Sequence, residues 1–184
     1  MYTIDKEFNW SMGHRVWSQK LDKTFSEDDE LCCRRLHGHV YTAKIGLRSI
    51  YHLTRGMVTD FKHLNFVKTI IDKDWDHRFM IDASDPMLPN LFPEFENIDP
   101  KYIKDSGFYK NFDLSQSDFD KVTKERIEGF VVVDFVPTSE NICECLFQIV
   151  QHKMRELLRE EGIKLAFVEL WETPKSHCRY EPNE

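Results

Sequence analysis

No run of apolar residues in this chain is long enough to cross a bilayer, which argues against a helical membrane protein. The first ten residues, Met1 to Trp10, alternate apolar and polar positions and lack the apolar core of a signal peptide. A cytoplasmic location and no membrane partner are therefore expected. There is no basic excess either. The net charge is −7, the wrong sign for the basic face that a nucleic-acid binder uses, so no nucleic-acid partner is expected. No Cys-x-x-Cys pair occurs, which leaves no thiolate zinc knuckle. The five cysteines are odd in number: Cys32 and Cys33 are adjacent, and Cys143 and Cys145 fall inside a helical pattern. They read as reduced thiols rather than a disulfide framework. Internal repeats and low-complexity tracts are absent. What is present is 184 residues that are 41% hydrophobic and 13% aromatic, with fourteen Phe, enough for one domain with a sizeable core.

Hydrophobic periodicity orders the chain. Residues 2–14 alternate, with Tyr2, Ile4, Phe8, Trp10 and Met12 on one face and Lys6 the exception, the pattern of a half-buried strand. Residues 18–31 are polar and acidic around Ser26-Glu27-Asp28-Asp29-Glu30 and read as a loop. A second strand spans 37–49, and Thr54-Arg55-Gly56-Met57 supplies a turn. Asp60 opens a helix on which Phe61, Leu64, Val67, Ile71 and Trp75 repeat at helical spacing, leading into Trp75-Asp76-His77-Arg78. Residues 82–129 carry four prolines (86, 89, 93 and 100) and read as mostly irregular, with a short helix within Asp113–Glu128 and a buried strand at Gly129–Val133. Pro137-Thr138-Ser139-Glu140-Asn141 starts a long helix that Gly162 ends, with Thr138 as N-cap. Residues 164–172 form a third strand, and His177 to Glu181 return as a fourth. The expected fold is α+β: a four-stranded antiparallel sheet with two helices on one face. It is one domain over 1–184 with a long insertion at about 81–134. The sheet's other face would meet a further subunit, so a homo-oligomer is expected.

The chemistry gathers around Cys32-Cys33-Arg34-Arg35-Leu36-His37-Gly38-His39. Strand alternation puts His37 and His39 on one face, roughly 6.5–7 Å apart along the backbone. Gly38 between them lets the backbone pass close to a neighbour. A bare His-x-His reads equally as two half-buried strand histidines. His14 ends the first strand with the parity of its apolar face, where a lone histidine is usually a satisfied core residue. Taken together, three neutral imidazoles with an open fourth position suit a catalytic zinc ion. Cys33, Asp76 and His77 are the candidates for moving protons. Each has a plainer reading: a buried cysteine, a helix C-cap, and, for Glu172, a surface carboxylate.

These segments together resemble the family of 6-pyruvoyl-tetrahydropterin synthases and 6-carboxytetrahydropterin synthases of queuosine biosynthesis. The resemblance rests on Phe8-Asn9-Trp10-Ser11-Met12-Gly13-His14, Cys33 to Tyr41, Gly56-Met57-Val58-Thr59-Asp60-Phe61, Asp76-His77, Pro137 to Asn141 and Trp171-Glu172-Thr173. It implies a zinc-dependent lyase of the tunnelling fold, whose subunits join sheets into a trimeric or hexameric barrel. It implies His14, His37 and His39 as zinc ligands and Cys33 as the catalytic thiol, with Asp76 and His77 as its proton-transfer partners. Glu172 and Thr173 would bind the pterin, the carboxylate accepting from the exocyclic amine and a ring N–H. Three residues separate Cys33 from His37, similar to the bacterial branch that converts 7,8-dihydroneopterin triphosphate to 6-carboxytetrahydropterin, acetaldehyde and triphosphate. The alternatives are triphosphate elimination to 6-pyruvoyltetrahydropterin and a pterin-binding oligomer without turnover. Arg34, Arg35 and Lys175 are candidates for the triphosphate. Residues 94–128 resemble nothing in the family pattern and suggest a lid or an extra subunit contact.

Overall fold

The alternation at the N-terminus does become a strand. In the computed structural model, which describes residues 1–26, 30–49 and 56–182, β1 runs Thr3–His14 and β2 runs His37–Ser49. Acidic residues 27–29 and the Thr54-Arg55 half of the expected turn lie outside the described residues. Then follow α1 (Asn65–Ile70), β3 (Arg78–Asp82), α2 (Leu88–Leu91), β4 (Ile103–Asp105) and β5 (Lys110–Phe112). The chain closes with α3 (Lys121–Glu128), β6 (Phe130–Val133), α4 (Ser139–Glu161), β7 (Ile163–Thr173) and β8 (Ser176–Tyr180).

The sheet corrects the expectation of four antiparallel strands. Among the described residues eight strands share one sheet, in the order β4-β5-β6-β3-β1-β2-β7-β8. It is mixed: β3 runs parallel to both β1 and β6, while β2–β7, β4–β5, β5–β6 and β7–β8 pair antiparallel. The difference has a physical cause. Strands β4 and β5 have three residues each, too few for a period of two to emerge. Strand β6 is buried at every position, and β3 is buried along its last three, so neither alternates.

The chain forms two compact units. One comprises Met1–Trp10, Val40–Lys73 and Ser139–Glu184. In it β7 pairs with β2 from Thr42↔Trp171 to Ser49↔Ile163, and with β8 on its other edge. The apolar stripe of α4, including Ile142, Leu146, Ile149, Val150 and Met154, is buried. The Cys143 thiol donates to the Val168 carbonyl at 3.1 Å, which fixes α4 against β7.

The other unit comprises Ser11–His39 and Asp74–Thr138. Here β1 ends beside β3, with Met12 opposite Arg78, and β3 pairs with β6 from Phe79↔Phe130 to Asp82↔Val133. The stretch read as irregular builds its own core around Ile81, Phe92, Phe112, Leu114, Ile127 and Phe130. Phe92 stacks on Phe130 at 5.2 Å and meets Phe112 edge-on at 5.1 Å. Asp120 caps α3 by accepting from Val122 and Thr123 N–H, which explains where that helix starts.

Candidate functional site

Strand β1 delivers His14 as its last residue, and β2 delivers His37 and His39 at its start. Gly38 is what allows the approach. A Cβ on Gly38 would stand 2.9 Å from the Met12 carbonyl oxygen, a backbone atom that cannot rotate away. Gly38→Ala is therefore expected to cost about 1–3 kcal/mol of stability through forced backbone shifts. It should also weaken metal binding by spreading the imidazoles. Thermal melts with and without zinc check both effects, and a wild-type melt with wild-type metal affinity would contradict them.

The three rings converge. Centroids lie 4.5 Å apart for His14 and His37, 5.2 Å for His14 and His39, and 5.0 Å for His37 and His39. One ring nitrogen from each falls within 4.8 Å of the others. His14 is buried, and the other two are half-buried. His14 Nδ1 lies 2.6 Å from the Pro137 carbonyl, and His37 Nδ1 lies 2.9 Å from that of Arg35. A carbonyl only accepts, so each Nδ1 carries the proton and Nε2 becomes the ligand atom. This is the carbonyl-oriented arrangement of metal-bound histidines. The donor set fits a divalent ion of borderline softness such as zinc.

For His14 and His39 the surroundings favour the neutral ring that ligation requires. Burial pushes His14 down to about 4; the Pro137 carbonyl opposes this, and repulsion from His37 and His39 adds to it. Burial, then His37, lowers His39. Between the ordinary value of 6.5 and about 4, folded His14 binds fewer protons than unfolded His14. Stability of the metal-stripped protein should thus fall as pH drops through that window, by on the order of 3 kcal/mol, and His14 adds no further loss below it. Urea unfolding of chelator-treated protein at several pH values measures this. A profile flat from pH 6.5 to 4 would contradict it.

Asp76 and His77 are latched onto β1. Asp76 Oδ1 accepts from Ser11 N–H at 2.8 Å, and His77 N–H donates to Ser11 O at 2.7 Å. His77 Nδ1 lies 2.9 Å from Asp76 Oδ2. His77 has φ 58°, the left-handed region, and is the non-glycine residue found there among those described. That conformation costs about 1–2 kcal/mol and persists where surrounding bonds impose it. Burial raises Asp76, but the Ser11 N–H and His77 outweigh it and hold the carboxyl below its ordinary value. An ionised Asp76 orients His77, whose side chain is 81% exposed and open to a reactant.

Cys33 sits in the 3-10 turn Cys32–Arg34. Its carbonyl accepts from Val16 N–H at 2.7 Å, and its N–H donates to Gln19 Oε1 at 3.0 Å. Both partners lie just beyond His14 in the chain. Cys33 is half-buried, whereas Cys32 is exposed with its thiol 3.5 Å from Glu30 Oε2. Arg35 is paired with Glu30. Glu172 and Thr173 end β7 in the other compact unit; both are half-buried, and Thr173 Oγ1 accepts from Lys175 N–H at 3.2 Å.

Two polar tethers escaped sequence reasoning. Arg15, next to His14, is buried against Asp85 with Nε to Oδ2 at 3.0 Å. Trp17 Nε1 donates to Asp82 Oδ2 at 2.9 Å. An arginine beside a ligand histidine is the available signal, but its acidic partner is remote in the chain.

Comparisons with known proteins bear on this geometry. The sequence pattern of the family described as "6-pyruvoyl tetrahydropterin synthase" matches residues 3–183. The chain is 30% identical over 185 residues to a 6-carboxy-5,6,7,8-tetrahydropterin synthase of Aquifex aeolicus, covering 97% of each chain. It superposes on the crystal structure of an uncharacterised protein from Wolinella succinogenes with TM-score 0.89 at 42% identity, covering 99% of this chain and 98% of that one. The 6-pyruvoyl tetrahydropterin synthase of Caenorhabditis elegans shares the fold, with TM-score 0.53 at 22% identity over 99% of this chain and 96% of that one.

Proposed function

This chain belongs to the 6-pyruvoyl tetrahydropterin synthase family, and on that premise we propose that it is a zinc-dependent 6-carboxy-5,6,7,8-tetrahydropterin synthase. The substrates are 7,8-dihydroneopterin triphosphate and one water; the products are 6-carboxytetrahydropterin, acetaldehyde and triphosphate, feeding queuosine synthesis. The observation that carries this reading is the convergence of His14, His37 and His39, with their ligand nitrogens within 4.8 Å of one another. The name of the Aquifex relative supports the choice of product.

His14, His37 and His39 would hold the zinc. Bound there, it would supply Lewis-acid polarisation of a substrate oxygen, which acidifies the adjacent C–H. Cys33, as thiolate, accepts a proton from the substrate side chain. Asp76 keeps His77 in the tautomer with a protonated Nδ1 and stabilises its cationic form, so His77 Nε2 takes up or returns the second proton. Glu172 accepts from the exocyclic amine and a ring N–H of the pterin, and Thr173 lies beside it in the binding strand. The subunits assemble as a homo-oligomeric barrel of the tunnelling fold, which also closes strand edges.

Mass spectrometry of the products tests the reaction. Acetaldehyde and 6-carboxytetrahydropterin in equal amounts are expected. Accumulation of 6-pyruvoyltetrahydropterin without acetaldehyde would instead assign simple triphosphate elimination, with the product after which the family is named.

A further inference from the structure

The Asp76–His77 pair is entered through Ile71–Trp75, which is wound as a π-helix rather than an α-helix. Such wide turns are uncommon and unstable by themselves. The Ser11 backbone grips Asp76 and His77, and a contact on the entering side would fix the other end of the turn. Tyr109, from the insertion, is placed to do so. Its hydroxyl donates to Asp74 Oδ2 at 2.7 Å, and its ring meets the Trp75 indole edge-on at 5.8 Å. Tyr109 is 6% exposed and Trp75 is fully buried.

Tyr109 is itself fixed. It lies between β4 and β5, where Gly107 takes φ 81° and its N–H donates to Asp105 Oδ1 at 2.8 Å. Ser106 N–H donates to Tyr109 O at 3.0 Å, and Tyr109 N–H donates to Ser106 Oγ at 3.1 Å. The hydroxyl is thus presented from a tight hairpin rather than a loose loop. We propose that Tyr109 is a positioning residue: through Asp74 and Trp75 it fixes the backbone that holds His77 in its left-handed conformation at the site. The insertion thereby takes part in proton transfer without touching substrate. This rests on reading Asp76 and His77 as the proton-transfer pair.

Tyr109→Phe removes only the hydroxyl. In the full-length protein kcat should fall about tenfold with KM and zinc content unchanged. The His77 amide, bonded to Ser11 O, should exchange with deuterium about tenfold faster, while the β3 amides of Met80 and Ile81 keep wild-type protection. Asp74→Ala, which removes the acceptor, should reproduce both effects, and the double variant should be no worse than either single one. A kcat at the wild-type value overturns the proposal. So does unchanged His77 exchange, or an increase shared by Met80 and Ile81, the mark of a general packing role. If the wild type itself fails to turn over dihydroneopterin triphosphate, the functional reading fails, and the local exchange result alone decides the positioning role.

Discussion

Cys33→Ala is expected to lower turnover of dihydroneopterin triphosphate by about 10²–10⁴-fold while leaving zinc content and thermal midpoint at wild-type values. That range is what a positioned proton-transfer group contributes. Cys33 is held by its backbone, through Val16 N–H and the Gln19 side chain, and alanine keeps both bonds. Its neighbour provides the control. Cys32 is exposed and its thiol reaches Glu30, so Cys32→Ala should turn over normally. Steady-state kinetics on the two variants, with elemental analysis of each, decide between the adjacent thiols. Loss of turnover in Cys32→Ala with normal Cys33→Ala would reverse the assignment.

His39→Ala should lose both metal and activity. A three-histidine site that gives up one ligand keeps two, too few for a tightly bound catalytic zinc. Affinity should fall more than 100-fold, since even changes in the groups behind ligands cost 10–100-fold. Turnover should fall by roughly 10³ or more, because the lost electrostatic stabilisation amounts to several kcal/mol. His39 is only half-buried, so its truncation leaves little cavity, and the fold should survive. Near-stoichiometric zinc in purified His39→Ala would be incompatible with the proposed ligand set. His14→Ala is the less informative choice, because that ring is buried at the end of β1 and its removal also disturbs packing.

Much of the architecture was legible where elements are long. Strands β1, β2 and β7 and helix α4 run for 11 to 23 residues, long enough for their periods to stand out. Parity along β1 and β2 was enough to put His14, His37 and His39 on converging faces. The exception in β1, Lys6, has its own reason: its amine donates to Asn65 Oδ1 at 2.6 Å and to Phe61 O at 3.2 Å. The rest was hidden for equally physical reasons. The parallel pairing of β3 depends on contacts with no local pattern, and three-residue strands carry no periodicity. Asp76-His77 could be read as the end of a helix, but the left-handed turn at His77 could not, because it is imposed by the Ser11 peptide, which lies 65 positions before Asp76. Tyr109 meets Asp74 across 35 positions, from a stretch that looked irregular because its prolines and short elements masked a core.

X-ray absorption spectroscopy at the zinc edge of the zinc-loaded protein tests the metal centre most directly. The expected spectrum has three imidazole nitrogens at about 2.0–2.1 Å and one further light-atom ligand from solvent. A sulfur scatterer at about 2.3 Å, or fewer than three imidazoles, would contradict a centre built by His14, His37 and His39 with an open fourth position.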